Sequence, residues 1–245
     1  MTDYYQIAQA ASLKIGNHSG LLYLRQLCRQ APKILDVGCG EGSRLVTLLP
    51  QSRIGWGIDA SKKAITQAKK QYPHHRFQVA DAARLPFADG FFDLTYSAFT
   101  LEHVLDPQTV ISEMFRVTRP GGLVVILCPN YGAPNRRSPV SAASPWRKLV
   151  SGLWQDFFPR PGLNWQTIVP REIYRHIDDD TTVEPYLHSL LHYLSPFHRI
   201  VLASSVWDQE PPSRHTRKGL IRLLGKWQAF PFKYWGPQLF AVAIK

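Results

Sequence analysis

The chain has 245 residues and 44% hydrophobic content, enough for an α/β domain with a substantial core, and its net charge of +11 points to anionic partners such as nucleic acid, phospholipid or phosphorylated substrates, or to solubility alone. No window of 18 or more uncharged apolar residues occurs and the polar start MTDYYQIAQ lacks a secretory h-region, so neither a membrane span nor export is indicated and a cytoplasmic protein is expected. Cys28, Cys39 and Cys128 lie far apart and read as buried or lining thiols in a reducing compartment.

Residues 1–32 read as an N-terminal helical segment, with Leu21, Leu24, Leu27 and Cys28 at helical spacing before Pro32. Lys33 to Val37 follows as a short buried strand, and Arg44 to Leu49 as a helix. Arg53 to Asp59 is a second strand, and Ser61 to Tyr72 a polar-faced helix with Ser61 as its N-cap. Strands over Arg76–Asp81 and Phe91–Phe99, a helix over Asp106–Thr118 and a strand over Gly122–Pro129 complete a β-α-β-α-β, β-α-β order. Strands alternating with helices of this length imply a mostly parallel, doubly wound sheet with right-handed crossovers. Ligands of such sheets sit at the carboxyl ends of the strands.

The first strand runs into ILDVGCGEGSRL, Ile34 to Leu45, with glycines at every second position. A G-x-x-x-x-G-K-[ST] phosphate cradle needs a Lys and a hydroxyl that are not here, and a G-x-G-x-x-G dinucleotide fingerprint spaces its third glycine differently. What stands is D-x-G-x-G-x-G, from Asp36 through Gly42. Asp59 closes the second strand, 21 residues beyond Gly38, where a carboxylate can accept hydrogen bonds from both hydroxyls of a ribose. Asp81 closes the third, near where an adenine would lie, and a Glu-His pair, Glu102 and His103, follows the fourth.

The chain from KILDVGCGEG through GIDAS, ADAARLPFADGFFD, LEHV and EMFRVTRPGGLVVILCPN resembles the class I S-adenosylmethionine-dependent methyltransferases, specifically the type-11 group acting on small molecules. The resemblance covers roughly residues 33–130. It implies S-adenosyl-L-methionine as cofactor. Asp36, Gly38, Gly40 and Gly42 would wrap the methionine part, Asp59 with Ala60 would meet the ribose, Asp81 and the backbone of Ala82 the adenine, and the segment from Ser97 to His103 would border the transferred methyl. The chemistry agrees, because a sulfonium donor carries no phosphate and wants close backbone approach and carboxylates rather than a lysine. The resemblance further implies a seven-stranded sheet, with His198–Trp207 and Pro237–Lys245 as its sixth and seventh strands, the last antiparallel.

Methyl transfer from a sulfonium is a single in-line displacement, so alignment is the protein's main task. A base is needed only where the attacking atom is protonated; His103 is the candidate, with Glu102 orienting it or facing the acceptor. The alternative for both is that LEHV starts a helix and packs locally.

The second half sets specificity. Residues 1–130 hold 14 Lys/Arg against 10 Asp/Glu and residues 131–245 hold 15 against 8, so the basic excess sits mainly beyond residue 130. The chain is expected to form a single domain: a donor-binding core (33–130), a lid (131–170) rich in Pro, Gly and Ser, and a C-terminal part (171–245) with a substrate-side insertion over 209–236. Two segments, Trp146–Phe157 and Thr216–Trp235, show apolar residues at helical spacing beside basic ones. They read as core-packing helices with solvated Lys/Arg, with peripheral contact to an anionic membrane as the other reading. In HIDDDTTVEPYLHSLLHY, Asp178, Asp179, Asp180 and Glu184 with His188 and His192 offer metal-ligand types, but Asp180 or Thr181 capping a helix with Pro185 in its first turn is the better account, and no metal is assigned.

The acceptor is therefore expected to be a small molecule, a glycan or a lipid-linked group. An RNA or protein methyltransferase is the alternative suggested by charge, although Ser97, Ala98, Phe99 and Thr100 stand where base methylation commonly uses (N/D)-P-P-Y, and nucleic acid is not the favoured partner. A non-catalytic donor-binding scaffold is the third reading. Oligomeric state is not legible.

Overall fold

In the computed structural model, residues 18–170, 180–207 and 216–245 are described, apart from the side chains of Thr216 and Arg217. The elements are α1 (Ser19–Gln30), β1 (Ile34–Val37), α2 (Ser43–Leu48), β2 (Trp56–Asp59), α3 (Lys62–Gln71), β3 (Arg76–Val79), β4 (Phe92–Ala98), α4 (Pro107–Val117), β5 (Thr118–Pro129), α5 (Pro145–Phe157), β6 (Gln166–Thr167), β7 (Val183–Glu184), α6 (Leu187–Leu194), β8 (Arg199–Val206), α7 (Thr216–Lys226) and β9 (Gln238–Ile244). Seven strands form one sheet in the order β3-β2-β1-β4-β5-β9-β8, and β6 pairs antiparallel with β7.

The polypeptide divides into two compact units, one of residues 1–100, 106–126 and 244–245, the other of residues 101–105 and 127–243. In the first, β1 pairs in parallel with both β2 and β4, and β2 with β3, the register setting Asp36 opposite Gly57 on one side and Tyr96 on the other. All four residues of β1 are buried, as expected of a strand flanked by neighbours and covered on both faces. Parallel pairing brings the carboxyl ends of β1, β2, β3 and β4 to one edge. The flanking helices start where side chains can cap them: Ser61 Oγ accepts from the Ala64 N–H at 3.2 Å, and Asp106, ahead of Pro107, accepts from the Thr109 N–H at 3.1 Å. The last strand is antiparallel to β5, since the Lys245 N–H donates to the Gly122 carbonyl and the Asn130 N–H to the Pro237 carbonyl, a register that runs in opposite senses.

In the second unit Glu184 is fully buried on β7, accepting from Lys148 Nζ of α5 at 2.5 Å and from the Ser138 N–H at 2.9 Å. The expected helix cap at Asp180 or Thr181 is corrected here. The helix begins only at Leu187, after Tyr186 and with no side-chain cap, and residues 182–184 are extended, the Thr182 N–H donating to the Glu102 carbonyl at 2.8 Å. The β-branched run Thr181-Thr182-Val183 and Pro185, which disfavours helical geometry at Glu184, account for it. Residues 131–170, expected as a lid, contain the 13-residue α5 and the β6 strand. The residues of metal-ligand type in this stretch have separate surroundings: Asp178 and Asp179 lie outside the described residues, Asp180 faces His103, Glu184 holds Lys148, and His188 Nδ1 is 3.0 Å from Asp156.

Candidate active site

The loop after β1 carries three glycines in the left-handed region, Gly38 at φ 83°, Gly40 at 55° and Gly42 at 85°. Their surroundings differ. A Cβ on Gly38 would stand 2.2 Å from Thr100 Cγ2, so this glycine exists to let β1 and the end of β4 approach. A Cβ on Gly40 would meet nothing within 4 Å, so the middle of the loop borders open space. The Gly38 and Cys39 N–H groups donate to the Ile58 carbonyl at 2.8 and 2.9 Å, and the Gly40 N–H donates to Asp59 Oδ2 at 2.9 Å, while Asp59 Oδ1 accepts from the Ser61 N–H at 2.8 Å. Asp59 thus clamps the glycine loop to the start of α3, with lone pairs remaining for a ligand.

Asp36 is completely buried and accepts from the Tyr96 hydroxyl at 2.8 Å through Oδ2, whereas Oδ1 has no hydrogen-bond partner among the described residues. Burial pushes its carboxyl up to about 7; Arg44 and the Tyr96 hydrogen bond oppose that rise, and Asp59 and Glu41 add to it. Arg44 Nη1 donates to the Ala98 carbonyl at 2.6 Å and its guanidinium lies 5.3 Å from the centre of the Phe99 ring. Phe99 itself has φ 57°, a sparsely populated conformation for a non-glycine residue and a mark of functional segments. Ser97, buried at the end of β4, holds a hydroxyl with no partner among the described residues. Asp81 is exposed past β3, closing a turn by accepting from the Ala83 N–H at 2.9 Å; Ala82 is half-buried beside it and Ala60 is exposed after β2.

Around the loop stand three carboxylates, Asp36, Glu41 and Asp59, and one guanidinium, Arg44. A pyrophosphate would be repelled; a cationic ligand with an ammonium and a sulfonium fits, and the unpartnered Asp36 oxygen is an acceptor for it. Glu41 and Arg44 are missing from the sequence-based site, and Phe99 and Thr100 entered it only as part of the segment from Ser97 to His103. Glu41 lies within the glycine motif and Arg44 two residues past it, which was signal enough, but nothing in the sequence marks the backbone of Phe99 or the contact of Thr100 with Gly38.

Glu102 and His103 fall in the second unit, on a single 3-10 turn. Glu102 is buried. His103 Nδ1 is 2.8 Å from Asp180 Oδ1 and its Nε2 is 3.8 Å from Glu102 Oε1, so Asp180 is the nearer carboxylate and pairs with the ring when the imidazole is protonated. LEHV forms a short 3-10 turn that packs through Leu101 and Glu102 and leaves His103 beside Asp180.

Residues 35–126 match a family model described as a methyltransferase domain. A trans-aconitate 2-methyltransferase of Azoarcus sp. is 26% identical over 240 residues, covering 88% of each chain. A demethylmenaquinone methyltransferase of Streptomyces avermitilis is 40% identical over 101 residues, and the chain spans only 42% of that relative's length. The structure of an S-adenosylmethionine-dependent methyltransferase from Mesorhizobium loti shares the fold, with a TM-score of 0.55 at 18% identity over 91% of this chain and 96% of the other. Residues 35–126 thus carry a methyltransferase domain, the relative that spans most of the chain is named as a methyltransferase, and the solved structure shares the fold.

Proposed function

We propose that the chain transfers the methyl group of S-adenosyl-L-methionine to an O, N or C nucleophile of a small-molecule, glycan or lipid-linked acceptor. The observation that carries this reading is the glycine loop, without the lysine of a phosphate cradle, among Asp36, Glu41 and Asp59. The open space at Gly40 and the unpartnered Asp36 oxygen receive the amino-acid part, Asp59 binds the ribose hydroxyls, Asp81 and Ala82 border the adenine, and Ser97 lies toward the methyl. The donor supplies an electrophilic methyl on a cationic sulfur. Carboxylates near that cation hold it in place, and the rest of the protein's work is to align the acceptor for in-line attack.

His103, beside Asp180, takes the proton of an acceptor that arrives protonated. A carboxylate acceptor needs no such step. The 88% coverage of a relative named for a small carboxylic acid, and the basic second half, support an anionic small molecule among the acceptor classes. His103→Gln should then lower kcat about 10²- to 10⁴-fold on a protonated hydroxyl or amine acceptor and leave a carboxylate acceptor nearly unaffected.

The test is an assay with radiolabelled methyl donor on fractionated cell extract, scored separately for RNA, protein, lipid and soluble small molecules and run in parallel with Asp59→Ala. Label in the small-molecule or lipid fraction that disappears with the variant is the expected outcome. Label confined to RNA or protein, or none in any fraction, contradicts the proposal.

A further inference from the structure

The second unit turns its most apolar helix faces outward. On α5, Trp146, Val150, Trp154, Phe157 and Phe158 are exposed, Trp146 at 72% and Trp154 at 60%, while the buried positions are Lys148, Gly152 and Asp156. The expectation that this helix packs through its aromatic side is thereby corrected. The interior of the unit is polar at this point: Lys148 is tied to Glu184, and Asp156 accepts from the Tyr186 hydroxyl and from Trp235 Nε1, so α5 is anchored by hydrogen bonds and its rings face solvent. On α7, Leu220, Leu223 and Trp227 are exposed at spacings of three and four, Trp227 at 71%.

These strips join. Phe157, at the end of α5, meets Phe230, just past α7, edge to face at 5.4 Å, and Trp154 lies 4.5 Å from Phe158. At their other ends both helices wall a cleft of about 330 Å³, with Pro145 and Lys148 from α5 and Lys218 from α7. Arg136, Arg137 and Trp207 line it too. Trp207 is more than nine-tenths buried, and its indole N–H has no acceptor among the described residues. The shared cleft at one end and the Phe157–Phe230 contact at the other link the two strips.

A contiguous exposed apolar face of this kind marks an interaction surface. The charge around it identifies the partner. Residues 131–170 and 216–243, all of the second unit, together carry ten Lys/Arg, of which Lys148 is paired with Glu184, and a single acidic residue, Asp156, which is buried. A second copy of the same face would bring like charges together with no carboxylate to pair them. An anionic lipid surface offers both complements, an acyl boundary for Trp and Phe rings and phosphates for the cations. No helix among the described residues is long and apolar enough to cross a membrane, so the contact is peripheral.

We propose that the α5–α7 face is a docking surface for an anionic phospholipid bilayer, with the aromatic strip in the acyl boundary and a headgroup phosphate in the basic cleft beside Trp207. It does not rest on the methyl-transfer reading, and the readout below involves no methyl donor. The full chain is floated with vesicles of phosphatidylcholine alone and of phosphatidylcholine mixed with phosphatidylglycerol. Binding to the mixed vesicles at low salt, reversal at high salt and a blue shift of tryptophan emission are expected. The double variant Trp154→Ala/Phe158→Ala removes only exposed side chains, so its melting temperature should match the wild type while partitioning falls about tenfold or more. Lys218→Glu should weaken binding to the mixed vesicles and not change the melting temperature. Failure of the wild type to float at low salt, or a double variant that floats equally well, overturns the proposal. So does a concentration-dependent dimer that the double variant disperses in the absence of vesicle binding, because the face then belongs to a second copy.

Discussion

Asp36 combines complete burial, one hydrogen bond and a carboxyl pushed up to about 7, so the proposed donor binding should depend on pH in a definite direction. Below about 7 the group is protonated and has no charge to offer an ammonium; above it the carboxylate is present, so donor affinity should rise as pH increases through 7 and then level off. Asp36→Asn should flatten that profile in a titration of S-adenosylhomocysteine between pH 6 and 8, and an unchanged profile would remove Asp36 from the site. Stability runs the other way. The unfolded carboxyl loses its proton near pH 3.9, the folded one only near 7, so this group's contribution is fully present below the lower value and is lost as pH rises through the upper one. The same variant should therefore gain melting temperature relative to wild type most strongly above pH 7. The glycines separate in a parallel way. Gly38→Ala meets Thr100 at 2.2 Å as well as a left-handed backbone, and should destabilise the fold by well over the ~1–2 kcal/mol of the backbone alone. Gly40→Ala meets nothing within 4 Å, so its loss of stability should be confined to about that backbone cost while donor affinity drops. Chemical denaturation of both variants checks the first half and ligand titration the second.

At the level of elements, the buried Lys148–Glu184 pair fixes α5 against β7. Burial pulls the Lys148 ammonium down while Glu184 supports it, so removing one partner strands a charge in a poorly solvated place. Lys148→Ala should cost about 3–5 kcal/mol in urea unfolding, and Lys148→Met/Glu184→Leu should recover much of that; equal losses in both would show that the pair's charge is not what matters. Sequence periodicity found α5 to within a residue and the start of α7, whose helix ends at Lys226 instead of reaching Trp235, but assigned their aromatic faces to the core. The reason is physical: spacing reports that a helix has an apolar side, not whether anything covers it, and the polar anchors Lys148 and Asp156 are invisible until the partners Glu184 and Tyr186 are brought across the fold. The first four strands were legible because buried runs such as ILDV are bracketed by capping and turn residues. The extended Thr182–Glu184 segment was missed because acidic residues ahead of it imitate a helix start, although its β-branched run and Pro185 argued otherwise.

Across the whole molecule, the glycine loop with its carboxylates lies in one compact unit and the His103–Asp180 pair and the apolar helix faces in the other. The strand-end positions of Asp36, Asp59 and Asp81 could be read from the sequence because a parallel sheet gathers its carboxyl ends on one edge, so linear spacing converts directly into a site. Acceptor chemistry could not be read, since it depends on side chains drawn from residues distant in sequence, as the pairing of His103 with Asp180 illustrates. The central claim is that an anionic glycine loop holds a cationic nucleoside donor, and thermal unfolding with S-adenosylhomocysteine addresses it most directly. At about 100 times its dissociation constant the ligand should stabilise the wild type by roughly 2.7 kcal/mol, seen as a raised melting temperature, and Asp59→Ala should show little or no rise. A wild type that does not respond, or a variant that responds equally, would contradict it.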